Sequence, residues 1–187
     1  MKKKIILAIT GASGSLYAVR FLQLMHSADV EVHGIISTAG RLVLRHELGV
    51  TPEDLQDLVA KWHAVDDLAA PMSSGSSMFD AMLVLPCTMG SLGAIANGVA
   101  KNLIHRAADV MLKERKPLLL AVRETPFNRI HLENMLKVHD AGALLCPPMP
   151  SFYHHPASIE EMAGFFAGRL ADLLGIEVSG MKRWQGI

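Results

Sequence analysis

The sequence is poor in charge, in aromatic rings and in cysteine, and each shortage excludes something. Charged residues are 19% and aromatics 5% of the 187 residues, whereas soluble domains carry about a quarter charged residues. So little charge leaves apolar surface to be covered, and identical subunits are the expected cover. Neither sign prevails: Lys plus Arg and Asp plus Glu each number 18. That balance excludes a general nucleic-acid or membrane-surface binder. Cys87 and Cys146 are the only cysteines. Both sit at the ends of apolar runs, which reads as reduced thiols in a cytoplasmic protein and not as a disulfide framework. No apolar run approaches the length of a membrane span. Lys2, Lys3 and Lys4 precede an apolar run, but it is too short for a signal peptide. Repeats, charge blocks and low-complexity tracts are also lacking. The expectation is one domain over residues 1–187, with a sizeable core.

What is present is organised around Lys2 to Tyr17, K-K-K-I-I-L-A-I-T-G-A-S-G-S-L-Y. Ile5 to Ile9 is apolar without alternation, as in a strand buried on both faces. It stops at Thr10, and Gly11, Ala12, Ser13 and Gly14 make a small-residue turn. Helical spacing follows at Leu16, Val19, Leu22 and Met25. The start of that helix, with its free N–H groups and dipole, favours a phosphate. A dinucleotide fingerprint is excluded, because Ala12 and Ser13 stand where a glycine is required and the later acidic residue is missing. No Lys-Ser/Thr pair completes a P-loop. A mononucleotide such as FMN fits better, and an ordinary β–α turn remains the plainer alternative.

Strands and helices then alternate. Val30 to Ser37 reads as a strand with Ser37 at its carboxyl end, and Ala39 to His46 as a helix with Glu47 near its end. A carboxylate there opposes the helix dipole, so Glu47 is either solvated or held by something functional. Thr51 and Pro52 read as the cap and first position of another helix. His63 to Ala70 holds a candidate short strand. The loop Met72 to Ser77, M-S-S-G-S-S, is either a linker or a second hydroxyl-rich ligand loop. Ala81 to Leu85 is a strong strand, followed by the small-residue turn Pro86 to Ser91. Leu103 to Glu114 is an amphipathic helix that sets Arg106, Asp109 and Lys113 on one side. They form a solvated ion-pair face or offer two cations to an anion. Pro117 to Val122 is a buried strand with Arg123 and Glu124 at its end, where open parallel sheets gather ligands. Ile130 to His139 is a helix and Ala143 to Leu145 a short strand. Ser158 and Glu161 read as the capping box of a last helix, with Arg169 bordering its apolar stripe. His154 and His155 are adjacent, but no ligand spacing supports a metal. The expected fold is α/β: a doubly wound, Rossmann-like parallel sheet of about five to six strands with helices on both faces.

Several stretches then match one family in order. They are T-G-A-S-G (Thr10 to Gly14), S-G-S (Ser74 to Ser76), L-P-C-T (Leu85 to Thr88) and R-A-A-D-V (Arg106 to Val110). L-K-E-R-K-P-L (Leu112 to Leu118), R-E-T-P (Arg123 to Pro126), F-Y-H (Phe152 to His154) and R-W (Arg183 to Trp184) follow. Together they resemble the UbiX-type flavin prenyltransferases along essentially the whole chain. The resemblance implies an enzyme that joins a dimethylallyl group from dimethylallyl phosphate to N5 and C6 of reduced FMN, without a metal. The product, prenylated FMN, would pass to a UbiD-type decarboxylase. The resemblance also implies a cytoplasmic homo-oligomer, a dodecamer in this family.

Residue roles are implied in the same way. Gly11, Ala12, Ser13, Ser37, Thr88, Met89, Gly90, Ser91 and Arg123 would hold the flavin. Ser74, Arg106, Lys113, Glu124, Tyr153 and Arg169 would surround the prenyl phosphate, some from neighbouring subunits. Ser13 and Glu47 would assist proton movement at the flavin, Glu124 would pass a proton to the departing phosphate, and Trp184 would flank the prenyl group. Two other readings compete. A cysteine-decarboxylase-like flavoprotein would need an Asn that Pro86-Cys87-Thr88-Met89 does not supply. A flavin carrier without activity would not need Glu124 beside so many cations.

Overall fold

The computed structural model describes residues 2–183 and 186. Six strands form one parallel sheet: β1 (Lys4–Ile9), β2 (Glu31–Ile36), β3 (Lys61–His63), β4 (Ala81–Cys87), β5 (Leu118–Val122) and β6 (Leu144–Leu145). Their spatial order is β3-β2-β1-β4-β5-β6. The helices are α1 (Ser15–Ser27), α2 (Thr38–Leu48), α3 (Met89–Ala96), α4 (Leu103–Lys113), α5 (Arg129–Asp140) and α6 (Ile159–Leu173). The expected doubly wound α/β fold is the one observed.

The unalternating strands follow from burial on both faces. Ile5, Leu7 and Ile9 point toward Phe21, Leu22 and Met25 of α1 and Leu170 of α6. Ile6 and Ala8 point the other way, toward Leu92 of α3 and Ile104, Ala107 and Met111 of α4. Each large apolar side chain so buried stabilises the fold by about 1.5–3 kcal/mol. The order of strands reverses between β1 and β4: β2 and β3 lie on one side, β5 and β6 on the other. Loops leaving the carboxyl ends of β1 and β4 therefore diverge, and a crevice opens between them.

Two glycines in the first turn have separate reasons. A Cβ on Gly11 would collide with the Ala39 Cβ at the start of α2. Gly14 has φ 115°, a left-handed value that disfavours any side chain.

Some local expectations change. The segment after Pro52 is a six-residue 3-10 helix, Glu53–Leu58, and not an α-helix. Thr51 does not cap it by accepting a bond. Its N–H and hydroxyl both donate to the Asp54 carboxylate, each at 2.8 Å. The short strand lies at Lys61–His63, just ahead of most of the stretch expected to hold it, because pairing with β2 selects His33↔Lys61 through Ile35↔His63. Ser158 caps α6 by accepting from the Glu161 N–H at 3.1 Å. Glu161 reaches back one residue further than a capping box requires, to the Ala157 N–H at 2.7 Å. The complete box belongs to α5, where Asn128 and His131 exchange bonds. Both cysteines are free. No helix among the described residues is long and apolar enough to cross a membrane. Ile130, Leu132 and Leu136 of α5 are each more than half exposed, a concentration of apolar surface that suits a partner.

Candidate active site

The crevice at the strand reversal is a cleft of about 190 Å³ lined by Gly11, Ala12, Ser13, Thr88, Met89, Arg123 and Glu124. Three strand ends supply these residues: the loop after β1, the start of α3 after β4, and the residues after β5. Seven of the residues singled out in the sequence thus meet in one place. Thr88 caps α3, its Oγ1 accepting from the Ser91 N–H at 3.2 Å and donating to Ser91 Oγ at 3.0 Å. Gly90 is exposed in the first turn of that helix. Ser37 caps α2, accepting from the Gly40 N–H at 2.9 Å, and its own N–H donates to the Ile9 carbonyl at 3.0 Å beside the first turn. Glu124 accepts from the Thr125 N–H at 3.0 Å.

Glu47 resolves the dipole conflict in an unexpected way. It sits in the last turn of α2 but points at the first turn of α1. Its carboxylate accepts from the Gly14 N–H at 3.1 Å and the Ser15 N–H at 2.8 Å. Two of the N–H groups that the sequence offered to a phosphate are therefore taken by a protein carboxylate. Burial pushes the Glu47 pKa up, but hydrogen bonds from the Ser13 side chain and the Ser15 and Gly14 N–H groups outweigh it. The net result is a carboxyl held below its usual range, ionised at neutral pH, and coupled to Ser13.

The residues assigned to the prenyl phosphate do not share this cleft, Glu124 excepted. Ser74, Arg106 and Lys113 gather at the loop that follows the 3-10 turn Pro71–Ser73. Arg106 Nε donates to the Ser73 carbonyl at 3.0 Å and its guanidinium pairs with Asp109 at 2.6 Å. Lys113 pairs with Glu114. A Cβ on Gly75 would meet the Glu114 carboxylate and Lys113 Nζ, so this ion pair packs directly against the loop backbone. Ser74 and Ser76 hydroxyls are 2.9 Å apart. Tyr153 and Arg169 line a separate cavity of about 550 Å³ with Phe165, Phe166 and Asp172. The tail edges that cavity, held by the Arg183–Asp172 fork at 3.0 and 2.7 Å. Trp184 lies outside the described residues. One chain thus carries the assigned phosphate groups on three separate surfaces.

Sequence reasoning gave Thr10 no role beyond ending the strand and opening the T-G-A-S-G match, and passed over the buried pair His33 and His63 on β2 and β3. Thr10 could have been noticed as the lone hydroxyl residue closing an all-apolar strand. No spacing rule links the two histidines, which are neighbours only through strand pairing.

The fold and these residues have close counterparts. The family model described as Flavoprotein matches residues 1–165. A relative named flavin prenyltransferase UbiX, from Methanothermobacter thermautotrophicus, is 50% identical over 98% of this chain and 96% of its own length. A crystal structure of AnUbiX (PadA1) in complex with FMN and dimethylallyl pyrophosphate is 40% identical, covers all of both chains and superposes with a TM-score of 0.97. A dodecameric FMN-dependent Ubix-like decarboxylase from Escherichia coli O157:H7 is 39% identical over 98% of this chain and all of its own, with a TM-score of 0.93. The chain belongs to the flavoprotein family and, within it, to the UbiX-type flavin prenyltransferases.

Proposed function

We infer that the protein is a flavin prenyltransferase. It transfers the dimethylallyl group of dimethylallyl phosphate to N5 and C6 of reduced FMN, and its product serves UbiD-type decarboxylases. The observation that carries this reading is that Arg123 and Glu124 line one cleft with Gly11, Ala12 and Ser13. A flavin phosphate needs a cation and small residues; it does not need an adjacent carboxylate. An acid beside the cation is what a departing phosphate requires, since it leaves with more charge than it brought and takes up a proton.

The residues present fit FMN. One wall of the cleft, Gly11 to Ser13, carries only small side chains, allowing close approach to its backbone. When bound and reduced, the flavin supplies the nucleophilic N5 and C6. Around it the chain's own groups have distinct tasks. Arg123 holds negative charge at the cleft mouth. Glu124 passes its proton to the phosphate oxygen as the allylic C–O bond breaks. Ser13 hands a proton toward Glu47, which is ionised and able to accept one. Ser37, Gly90 and Ser91 belong to the helix starts that flank the flavin. Ser74, Arg106, Lys113, Tyr153 and Arg169 complete the phosphate site only when copies of the chain assemble. A cleft of about 190 Å³ is smaller than the ~300–1,000 Å³ of enclosed ligand sites, which agrees with walls supplied by other subunits. Assembly also excludes water, which would otherwise capture the allylic cation. The exposed apolar residues of α5 accord with a homo-oligomer, by the family pattern a dodecamer. Trp184 is assigned to the prenyl flank. We take residues 1–187 as one flavoprotein domain acting in the cytoplasm, in keeping with its free thiols.

The test is anaerobic incubation with reduced FMN and dimethylallyl phosphate, followed by mass measurement of the flavin. Gain of one C5 unit is expected. FMN that binds and leaves with unchanged mass would overturn the assignment.

A further inference from the structure

We propose that Thr10 is a positioning residue for flavin binding: its hydroxyl closes the β1–β4 ladder at the strand reversal and fixes the spacing of the cleft walls. The inference rests on the reading of that cleft as the flavin site. Strands β1 and β4 pair in register from Ile5↔Ala81 to Ala8↔Val84, and beyond Val84, where β4 also shifts its register against β5, the β1–β4 pairing continues only through Thr10. The Thr10 N–H still donates to the Pro86 carbonyl, at 3.2 Å. In a regular parallel ladder the next rung would run from the Thr88 N–H to the Thr10 carbonyl. Here the Thr88 N–H donates to Thr10 Oγ1 instead, at 2.9 Å. The same hydroxyl donates to the Pro86 carbonyl at 2.8 Å. The side chain stands in for its own carbonyl, so the main chain is released from the sheet and turns into Gly11 without leaving Thr88 unpaired.

This one hydroxyl therefore ties two walls of the cleft together. The Gly11 to Ser13 loop follows Thr10 directly, and the Thr88–Met89 wall hangs on its oxygen. The third wall is tied to the second, because the Arg123 N–H donates to the Cys87 carbonyl at 3.0 Å. Thr10 is only 2% exposed, so water does not replace a lost bond there. Valine would keep the shape, lose both side-chain bonds and leave the Thr88 N–H without its acceptor. Serine would keep both.

The experiment is FMN titration of Thr10→Val, Thr10→Ala and Thr10→Ser in the full chain, followed by flavin fluorescence, with melting temperatures alongside. Thr10→Val and Thr10→Ala are expected to bind FMN about tenfold or more weakly, and Thr10→Ser within about threefold of wild type. Alanine and serine both lack the methyl group, so their difference isolates the hydroxyl even if the valine variant fails to fold. Equal affinity in the alanine and serine variants would overturn the proposal, as would wild-type affinity in the valine variant. A purely stabilising role would lower the melting temperature of the alanine variant without separating its FMN affinity from that of serine. Wild-type protein that binds no FMN would remove the flavin reading itself, and the proposal with it.

Discussion

The buried histidines on β2 and β3 make stability depend on pH in a calculable way. His33 Nε2 lies 2.8 Å from the Glu31 carboxylate, and His33 Nδ1 lies 2.9 Å from His63 Nε2. A carboxylate only accepts, so His33 carries its proton on Nε2 and leaves Nδ1 as an acceptor. His63 must then donate from Nε2, and its Nδ1 is the bare nitrogen. That atom is buried without a hydrogen-bond partner. A proton arriving there makes a cation in an apolar place, with Lys61 and Lys4 near and Asp67 the opposing charge. Burial, followed by His33 and the lysines, brings the His63 pKa down from 6.5 to about 4. Burial also lowers His33, against its Glu31 bond. The unfolded chain binds this proton near pH 6.5 and the folded chain only near pH 4, so the stability is complete above pH 6.5. It is lost as pH falls through that window. The loss from His63 alone is about 2 kcal/mol by pH 5 and about 3 kcal/mol by pH 3. For a domain of this size about 2 kcal/mol lowers the melting temperature by roughly 4–8 °C. The assay is thermal unfolding at fixed protein concentration from pH 7.5 to 5, for wild type and His63→Gln. Glutamine can still donate to His33 but does not titrate. The wild-type melting temperature should fall more steeply by about that amount; parallel profiles would refute the reasoning.

Other outcomes follow from the same structure. Glu124→Gln should bind FMN normally but form prenylated flavin about 10²- to 10⁴-fold more slowly, the usual contribution of a positioned acid, as read by mass measurement of the flavin over time. Glu47→Gln removes the anion at the start of α1 and should lower stability by about 1 kcal/mol in denaturant unfolding at pH 7. Because the Glu47 pKa is depressed on folding, that difference should be full at neutral pH and shrink as the wild-type carboxyl becomes protonated in acid. Leu22→Ala, at a fully buried position of α1, should cost about 2–5 kcal/mol in the same assay.

The fold was legible because its strands are buried on both faces. Ile5 to Ile9, Ala81 to Leu85 and Pro117 to Val122 read as sheet interior, and the small-residue turns after the first two and the Arg123-Glu124 pair after the third read as sheet edge. What misled was local chemistry with two physical solutions. Thr51-Pro52 starts either an α-helix or a 3-10 turn, and the bonds from Thr51 to Asp54 suit both. The cleft residues were legible for the same reason as the strands, since they follow strand ends. Their partners were not. Whether Glu47 meets solvent or the neighbouring helix depends on how α2 docks against the first turn. Periodicity does not encode that, and spacing in one chain does not reveal that Arg106, Tyr153 and Glu124 stand on different surfaces.

The Glu47 contact also changes how the first turn should be pictured. Many nucleotide loops are electrostatically incomplete until an anion arrives, and ordering the loop is part of binding. Here the chain carries its own resident anion at the start of α1. The Gly14 and Ser15 N–H groups are satisfied within the chain, so the turn does not depend on a phosphate for them. For a protein whose product is itself a cofactor destined for another enzyme, that uncouples release from collapse of the binding loop. The flavin can leave without taking the architecture of the cleft with it.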